Sequence, residues 1–144
     1  MSLQVKVDPH LPPTVIGDRG RTEEILSNLV VNAIKFTDTG GVAIYVNRDD
    51  DEHWALQVKD TGIGISEENL ARIFEPFHQV DETTSRKFGG VGLGLAIVQQ
   101  LVTAMNGTVS VKSKIGQGSM FTVILPLRPS RNREDAPWAR DLLR

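Results

Sequence analysis

From Gln4 to Val7 polar and apolar residues alternate, which predicts a short strand, and Asp8-Pro9 followed by Pro12-Pro13 predicts a stiff connector behind it. Asp18 then opens a helix. From about Thr22 to Phe36 the apolar residues Ile25, Leu26, Leu29, Val30, Ala33 and Ile34 recur at helical spacing, and Gly40-Gly41 ends the pattern. Two alternating runs, Val42 to Val46 and Trp54 to Val58, flank the acidic turn Asp49-Asp50-Asp51 and predict an antiparallel hairpin. Ser66 is placed to cap a short helix running to about Ile73. Between Phe74 and Val91 periodicity gives way to prolines, charges and glycines, so a long loop is expected there. Inside a compact domain a loop beyond ~12–15 residues is usually functional. Leu93 to Met105 carries a second helical stripe, closed by Asn106-Gly107, residue types suited to a left-handed cap. A last hairpin pairs Val109 to Val111 with Ser119 to Leu127 around Lys114-Ile115-Gly116-Gln117-Gly118, with Pro126 at the strand's far end. Hairpins interspersed with helices argue an α+β sandwich, its helices on one face of a mixed sheet. Residues 4–127 form the expected domain. The stretch 128–144, with little apolar periodicity apart from Trp138 and Leu142-Leu143, reads as a linker or tail.

The chain has 144 residues, enough for one domain with its own core. It has no cysteine, which excludes disulfides, zinc–thiolate sites and a thiolate nucleophile and suits a reducing cytosol. Sixteen Lys and Arg against 18 Asp and Glu give a net charge of −2, no field for nonspecific nucleic-acid binding. No apolar run approaches the ~20 residues needed to cross a bilayer.

Three local patterns carry candidate chemistry. On the first long helix Asn28, Asn32 and Lys35 fall at i, i+4 and i+7, lining one stripe that Glu24 extends by a turn. Asparagine competes for backbone hydrogen bonds in mid-helix, so two on one face ask for a reason, although a solvated polar face reads the same way. In the second pattern Trp54, Leu56, Val58 and Asp60 share one face of a strand, so a carboxylate points where apolar side chains point. Such a group needs a donor partner, for instance a ligand amine. A turn-forming Asp before Thr61-Gly62 is the alternative. Gly62 and Gly64, which follow, admit the close approach of another backbone or of a flat ligand. The third pattern is Gly89-Gly90-Val91-Gly92-Leu93-Gly94-Leu95 ahead of a helix, where bare backbone N–H groups can cradle phosphate or simply form a hinge. It fits neither a Walker A loop nor Gly-x-Gly-x-x-Gly. Arg86 and Lys87 stand just upstream, able to meet phosphates or to remain solvated.

Together these residues resemble one family: the catalytic, ATP-binding domain of sensor histidine kinases, within the gyrase/MutL/histidine-kinase ATPase superfamily. Asn28-Leu29-Val30-Val31-Asn32-Ala33-Ile34-Lys35-Phe36-Thr37 is similar to its N box and Asp60-Thr61-Gly62-Ile63-Gly64 to its G1 box. Phe74-Glu75-Pro76-Phe77 is similar to its F box, and Gly90-Val91-Gly92-Leu93-Gly94-Leu95 to its G2 box. The four follow the family's order and the resemblance covers residues 4–127. It implies the Bergerat ATP-binding fold, a two-layer α/β sandwich with a mixed, mostly antiparallel sheet of about five strands covered on one face by about three helices.

Carried onto this sequence, the resemblance makes Asn32 the Mg²⁺ ligand, with Asn28 beside it and Lys35 reaching the phosphates of ATP. Asp60 would accept from the adenine amino group, and Gly62 and Gly64 would flank base and sugar. Residues 74–91 would form an ATP lid anchored by Phe74 and Phe77, and Gly90, Gly92 and Gly94, with Leu93 between them, would wrap the triphosphate near Arg86 and Lys87. Val91 stands where the family often has Ser or Thr, so a hydroxyl contact to phosphate is missing, and Glu24 stands where Gln is common. The implied reaction is γ-phosphoryl transfer to a histidine on a separate dimerising hairpin domain, with a response regulator as indirect partner. His10, His53 and His78 lack the His-Glu context of such an acceptor. The expected setting is cytoplasmic two-component signalling, in a parent that can be membrane-anchored, with this piece alone a monomer. The alternatives are an ATP hydrolase of the gyrase or MutL kind, which would need a water-activating Glu where Asn28 stands, or a degenerate module that holds nucleotide without transfer.

Overall fold

A computed structural model describes residues 1–12, 17–75 and 94–128. Its elements in chain order are β1 (Ser2–Val7), α1 (Arg19–Lys35), β2 (Gly41–Arg48), β3 (His53–Asp60), α2 (Glu67–Leu70), α3 (Gly94–Ala104), β4 (Thr108–Lys114) and β5 (Gly118–Pro126). The strands make one sheet in the order β1-β2-β3-β5-β4. Only β1 runs parallel to its neighbour; the other three pairings are antiparallel. This is the expected two-layer α+β sandwich.

Local chemistry explains the element ends. Asp18 caps α1 by accepting from the Arg21 N–H at 3.0 Å, so the helix starts at Arg19, well before its first apolar residue, Ile25. Ser66 caps α2 through the Asn69 N–H at 3.3 Å. Asn106 takes φ 61° after α3, the left-handed stop its sequence position suggested.

Register sorts the two faces of the sheet. Val42, Ile44, Leu56, Val58, Phe121, Val123 and Leu125 are buried on the covered face, where they meet Ile25, Leu29 and Ala33 of α1 and Val98 and Val102 of α3. On the opposite face the polar pairs Asn47–Gln57 (3.2 Å) and Gln57–Thr122 (3.3 Å) run across β2, β3 and β5. Strand β1 departs from this order. Leu3, Val5 and Val7 pair with Val42, Ile44 and Val46 and so point to the covered side, yet all three are at least 60% exposed.

Candidate functional site

Reading along the covered face toward the C-terminal end of β3, apolar rows give way to a polar one. Phe121 pairs with Val58 and with Val111; one row further on, Ser119 pairs with Asp60 and with Ser113. Asp60 is thus the last member of the buried series Leu56, Val58, Asp60, and it is 4% exposed. Its Oδ1 accepts from the Gly62 N–H at 2.9 Å. Burial pushes its carboxyl above the ordinary value of 3.8, against the lowering effect of backbone N–H groups of Gly62 and Ser119. One oxygen therefore shapes its own turn, and the buried carboxylate faces a pocket.

The glycines after it have been claimed by protein backbone. A Cβ at Gly62 would overlap the Phe36 carbonyl oxygen, and the neighbouring Ile63 N–H donates to that same oxygen at 3.1 Å. Gly64, at φ +77°, leaves room for the Lys114 carbonyl, and the Gly116 N–H donates to Ile63 O at 2.9 Å. Close approach of another backbone, one of the two uses open to these glycines, is made at both. The result clamps the Asp60 turn between the end of α1 and the β4–β5 turn.

Along α1, Asn28, Asn32 and Lys35 are half-buried on one stripe while Glu24 is exposed. Asn28 Nδ2 donates to Glu24 O at 2.9 Å. A carbonyl only accepts, so the amide nitrogen is fixed there and Asn28 Oδ1 is left facing the first residue of α3, close to where a Cβ on Gly94 would lie. The N-box helix and the last glycine of the G2 box therefore meet. Phe74 packs edge-on against core Phe121, ring centroids 6.3 Å apart at 90°, which anchors the start of the F box to the body. Phe77, Arg86, Lys87, Gly90, Val91, Gly92 and Leu93 lie outside the described residues, as do His78 and most of the expected lid.

These parts converge on one pocket lined by Asn32, Phe36, Asp60, Gly64, Ile65, Leu95 and Ser119. Sequence reasoning had placed Asn32, Asp60 and Gly64 there; it passed over Phe36, Ser119 and, behind the pocket, Ser113. The signal existed. Ser119 precedes the alternating buried residues Phe121, Val123 and Leu125 just as Asp60 follows Leu56 and Val58. The described histidines are otherwise engaged, His10 with Asp8 and His53 with Asp50, each at 2.9 Å. Among the described residues no group of three or more His, Cys, Asp or Glu could hold a metal, and no helix is long and apolar enough to cross a membrane.

Residues 17–129 match the family model described as histidine kinase-, DNA gyrase B- and HSP90-like ATPase. The chain belongs to this family. Its similar relatives are sensor kinases. It is 44% identical to sensor histidine kinase RcsC of Escherichia coli K12 over 88% of the chain but 13% of that protein. It is 40% identical to hybrid signal transduction histidine kinase A of Dictyostelium discoideum over 94% of the chain and 7% of that protein. Among solved structures, full-length ShkA in complex with AMPPNP superposes with a TM-score of 0.79 at 40% identity, covering 89% of this chain and 26% of that one. The nucleotide-free catalytic domain of histidine kinase ThkA gives 0.71 at 28% identity, covering 88% and 80%. The chain thus spans a small fraction of the full-length kinases and is similar to most of an isolated histidine-kinase catalytic domain.

Proposed function

We propose that this domain binds Mg²⁺-ATP and passes the γ-phosphoryl group to a histidine on a separate dimerising hairpin domain of its parent, which then supplies a response regulator. The observation that carries the reading is the pocket in which Asp60 of the G1 box and Asn32 of the N box both take part. Asp60 is a buried acceptor suited to the adenine amino group, and the ShkA relative was solved with an ATP analogue. Lys35, half-buried on the same stripe as Asn32, reaches the phosphates, and the glycines of the G2 box ahead of α3 wrap them.

The residues fit Mg²⁺. Asn28 turns an amide oxygen toward α3 and Asn32 lines the pocket; amide oxygens are hard donors of the kind Mg²⁺ accepts beside phosphate oxygens and water. Asn32, with Asn28 beside it, would hold the ion, which when bound neutralises charge on the transferring phosphoryl group. The chain's own contribution is positioning: Asp60 sets the base, and α1 and the start of α3 set the triphosphate.

Hydrolysis as the main activity is disfavoured by Asn28. Its amide is not a base, and its nitrogen is committed to Glu24 O. The deciding experiment incubates the chain with labelled Mg²⁺-ATP, with and without an added histidine-bearing hairpin domain. Label should pass to the hairpin, with little phosphate released without it; robust multiple-turnover release by the chain alone would assign it to the hydrolases.

A further inference from the structure

The hydroxyls behind Asp60 are wired in one direction. Ser113 Oγ receives the Ile65 N–H at 2.7 Å, contacts the Gly118 carbonyl at 2.9 Å and lies 2.7 Å from Ser119 Oγ. An N–H can only donate and a carbonyl can only accept, so the single Ser113 proton is committed to Gly118 O. In the remaining contact Ser119 must be the donor. That uses its only proton, and Ser119 is left presenting lone pairs beside the Asp60 carboxylate in the pocket. All three side chains sit in one row of the sheet, with Ser113 on β4 behind Ser119 on β5 and Asp60 on β3.

We infer that Ser113 is a positioning residue for base selection: by holding the Ser119 proton it makes the pocket floor accept hydrogen bonds only, which favours a purine bearing an exocyclic amino group over one bearing a carbonyl there. The inference rests on the proposed ATP binding and names what would read the base. Inosine triphosphate is the probe, because it replaces the amino group of ATP with a carbonyl, which also turns the adjoining N1 from acceptor to donor, and leaves sugar and phosphates unchanged. The N1 change is common to all the variants compared, so it cancels when their ATP preferences are set against one another. Against two acceptors that carbonyl has no donor. Without the Ser113 hydroxyl, the Ser119 hydroxyl is free to rotate and donate to it.

The test is titration of the full chain with ATP and with inosine triphosphate in the parent and in Ser113→Ala, Ser113→Cys and Ser113→Thr. The alanine and cysteine variants should lower the ATP preference about two- to tenfold, the worth of one neutral hydrogen bond, mostly through tighter inosine triphosphate binding. Cysteine keeps the volume with a poor acceptor, so it serves if alanine does not fold. Threonine restores the hydroxyl and should restore the preference. In a Ser119→Ala background the alanine change at Ser113 should no longer move the ratio. Equal loss for both nucleotides in Ser113→Ala and Ser113→Cys, or an undiminished effect without Ser119, would overturn the inference while leaving ATP binding standing. A parent that binds neither nucleotide would overturn the functional reading itself and this inference with it.

Discussion

Asp60, Ser113 and Ser119 are tied into the fold by hydrogen bonds to Gly62, Ile65, Gly118 and one another, whereas no side-chain hydrogen bond or ion pair ties Asn32 or Lys35 to another described residue. The base and phosphate ends of the proposed nucleotide site are thus built differently. At the base end the protein has already satisfied the backbone groups and aligned the acceptors, so little ordering is left for a ligand to bring about. At the phosphate end the stripe of α1 presents polar groups that a ligand and its ion would complete. Changes at the first end should therefore show in stability and base choice, and changes at the second in transfer with stability intact.

The largest effect separates the two. Asn32→Ala should abolish phosphoryl transfer to an added acceptor domain. Its melting temperature should stay within a few degrees of the parent, because alanine is the better helix former by up to ~0.7 kcal/mol and no side-chain hydrogen bond or ion pair to a described residue is lost. A collapsed circular-dichroism melt would make Asn32 a structural residue, and parent-like transfer would end its role at the phosphates.

Asp60→Asn is the converse case. The Gly62 N–H needs an acceptor, so the new amide must keep its oxygen there and turn its nitrogen elsewhere, leaving a donor where the adenine amino group needs an acceptor. ATP affinity should fall roughly tenfold to 150-fold, equivalent to about 1.5–3 kcal/mol for a charge-assisted bond. The nucleotide-free protein should melt higher, since a buried carboxylate no longer has to be held ionised. Unchanged ATP binding in a fluorescence titration would remove Asp60 from the base site.

What could be read from the sequence followed from periodicity and residue type. The stripe Ile25, Leu29, Ala33 located the buried side of α1, and the alternation ending in Asp60 located a carboxylate inside. The helix start was less legible, because the first turn, Arg19-Gly20-Arg21, is polar and only the cap marks it. In β1 the alternation from Gln4 to Val7 gave the strand but neither its start at Ser2 nor the exposure of Val5 and Val7, since alternation says nothing about whether a helix reaches across an edge strand. Ser113 and Ser119 carry no motif. Their importance lies in being neighbours of Asp60 across β5 and β4, a relation created by strand order alone.

Gly62→Ala tests the clamp at the base end. The added methyl would collide with the Phe36 carbonyl, an atom of the backbone that cannot rotate away, so the α1 end and the Asp60 turn must separate. A cost of roughly 1–3 kcal/mol, as for overpacked interiors, should lower the melting temperature by at least ~3 °C and weaken ATP binding along with it. Gly20→Ala, at an exposed helical site where the added Cβ would lie in ordinary contact with Asp18 Oδ1 at 3.6 Å, is the control and should be neutral or stabilising. If both substitutions behaved alike, the close approach at Gly62 would not matter to the fold.

The smallest effect is a pH dependence whose two halves run in opposite directions. Burial raises the Asp60 carboxyl above 3.8, so the folded protein binds the Asp60 proton more tightly than the unfolded chain does. The stability this contributes is fully present below the unfolded value and is lost as pH rises through the folded value. Base recognition needs the ionised form, so the Asp60 contribution to ATP affinity is full above the folded value and is lost as pH falls through it, by at most about tenfold per pH unit for one proton. The parent should therefore bind ATP progressively less well on the acid side while, relative to Asp60→Asn, its nucleotide-free stability improves. Subtracting the Asp60→Asn curves removes the titration of ATP and of the other carboxylates, including Asp8 and Asp50, which hydrogen bonds hold below their ordinary value. Difference curves that both rise or both fall with pH would mean that the group titrating at the base end is not Asp60.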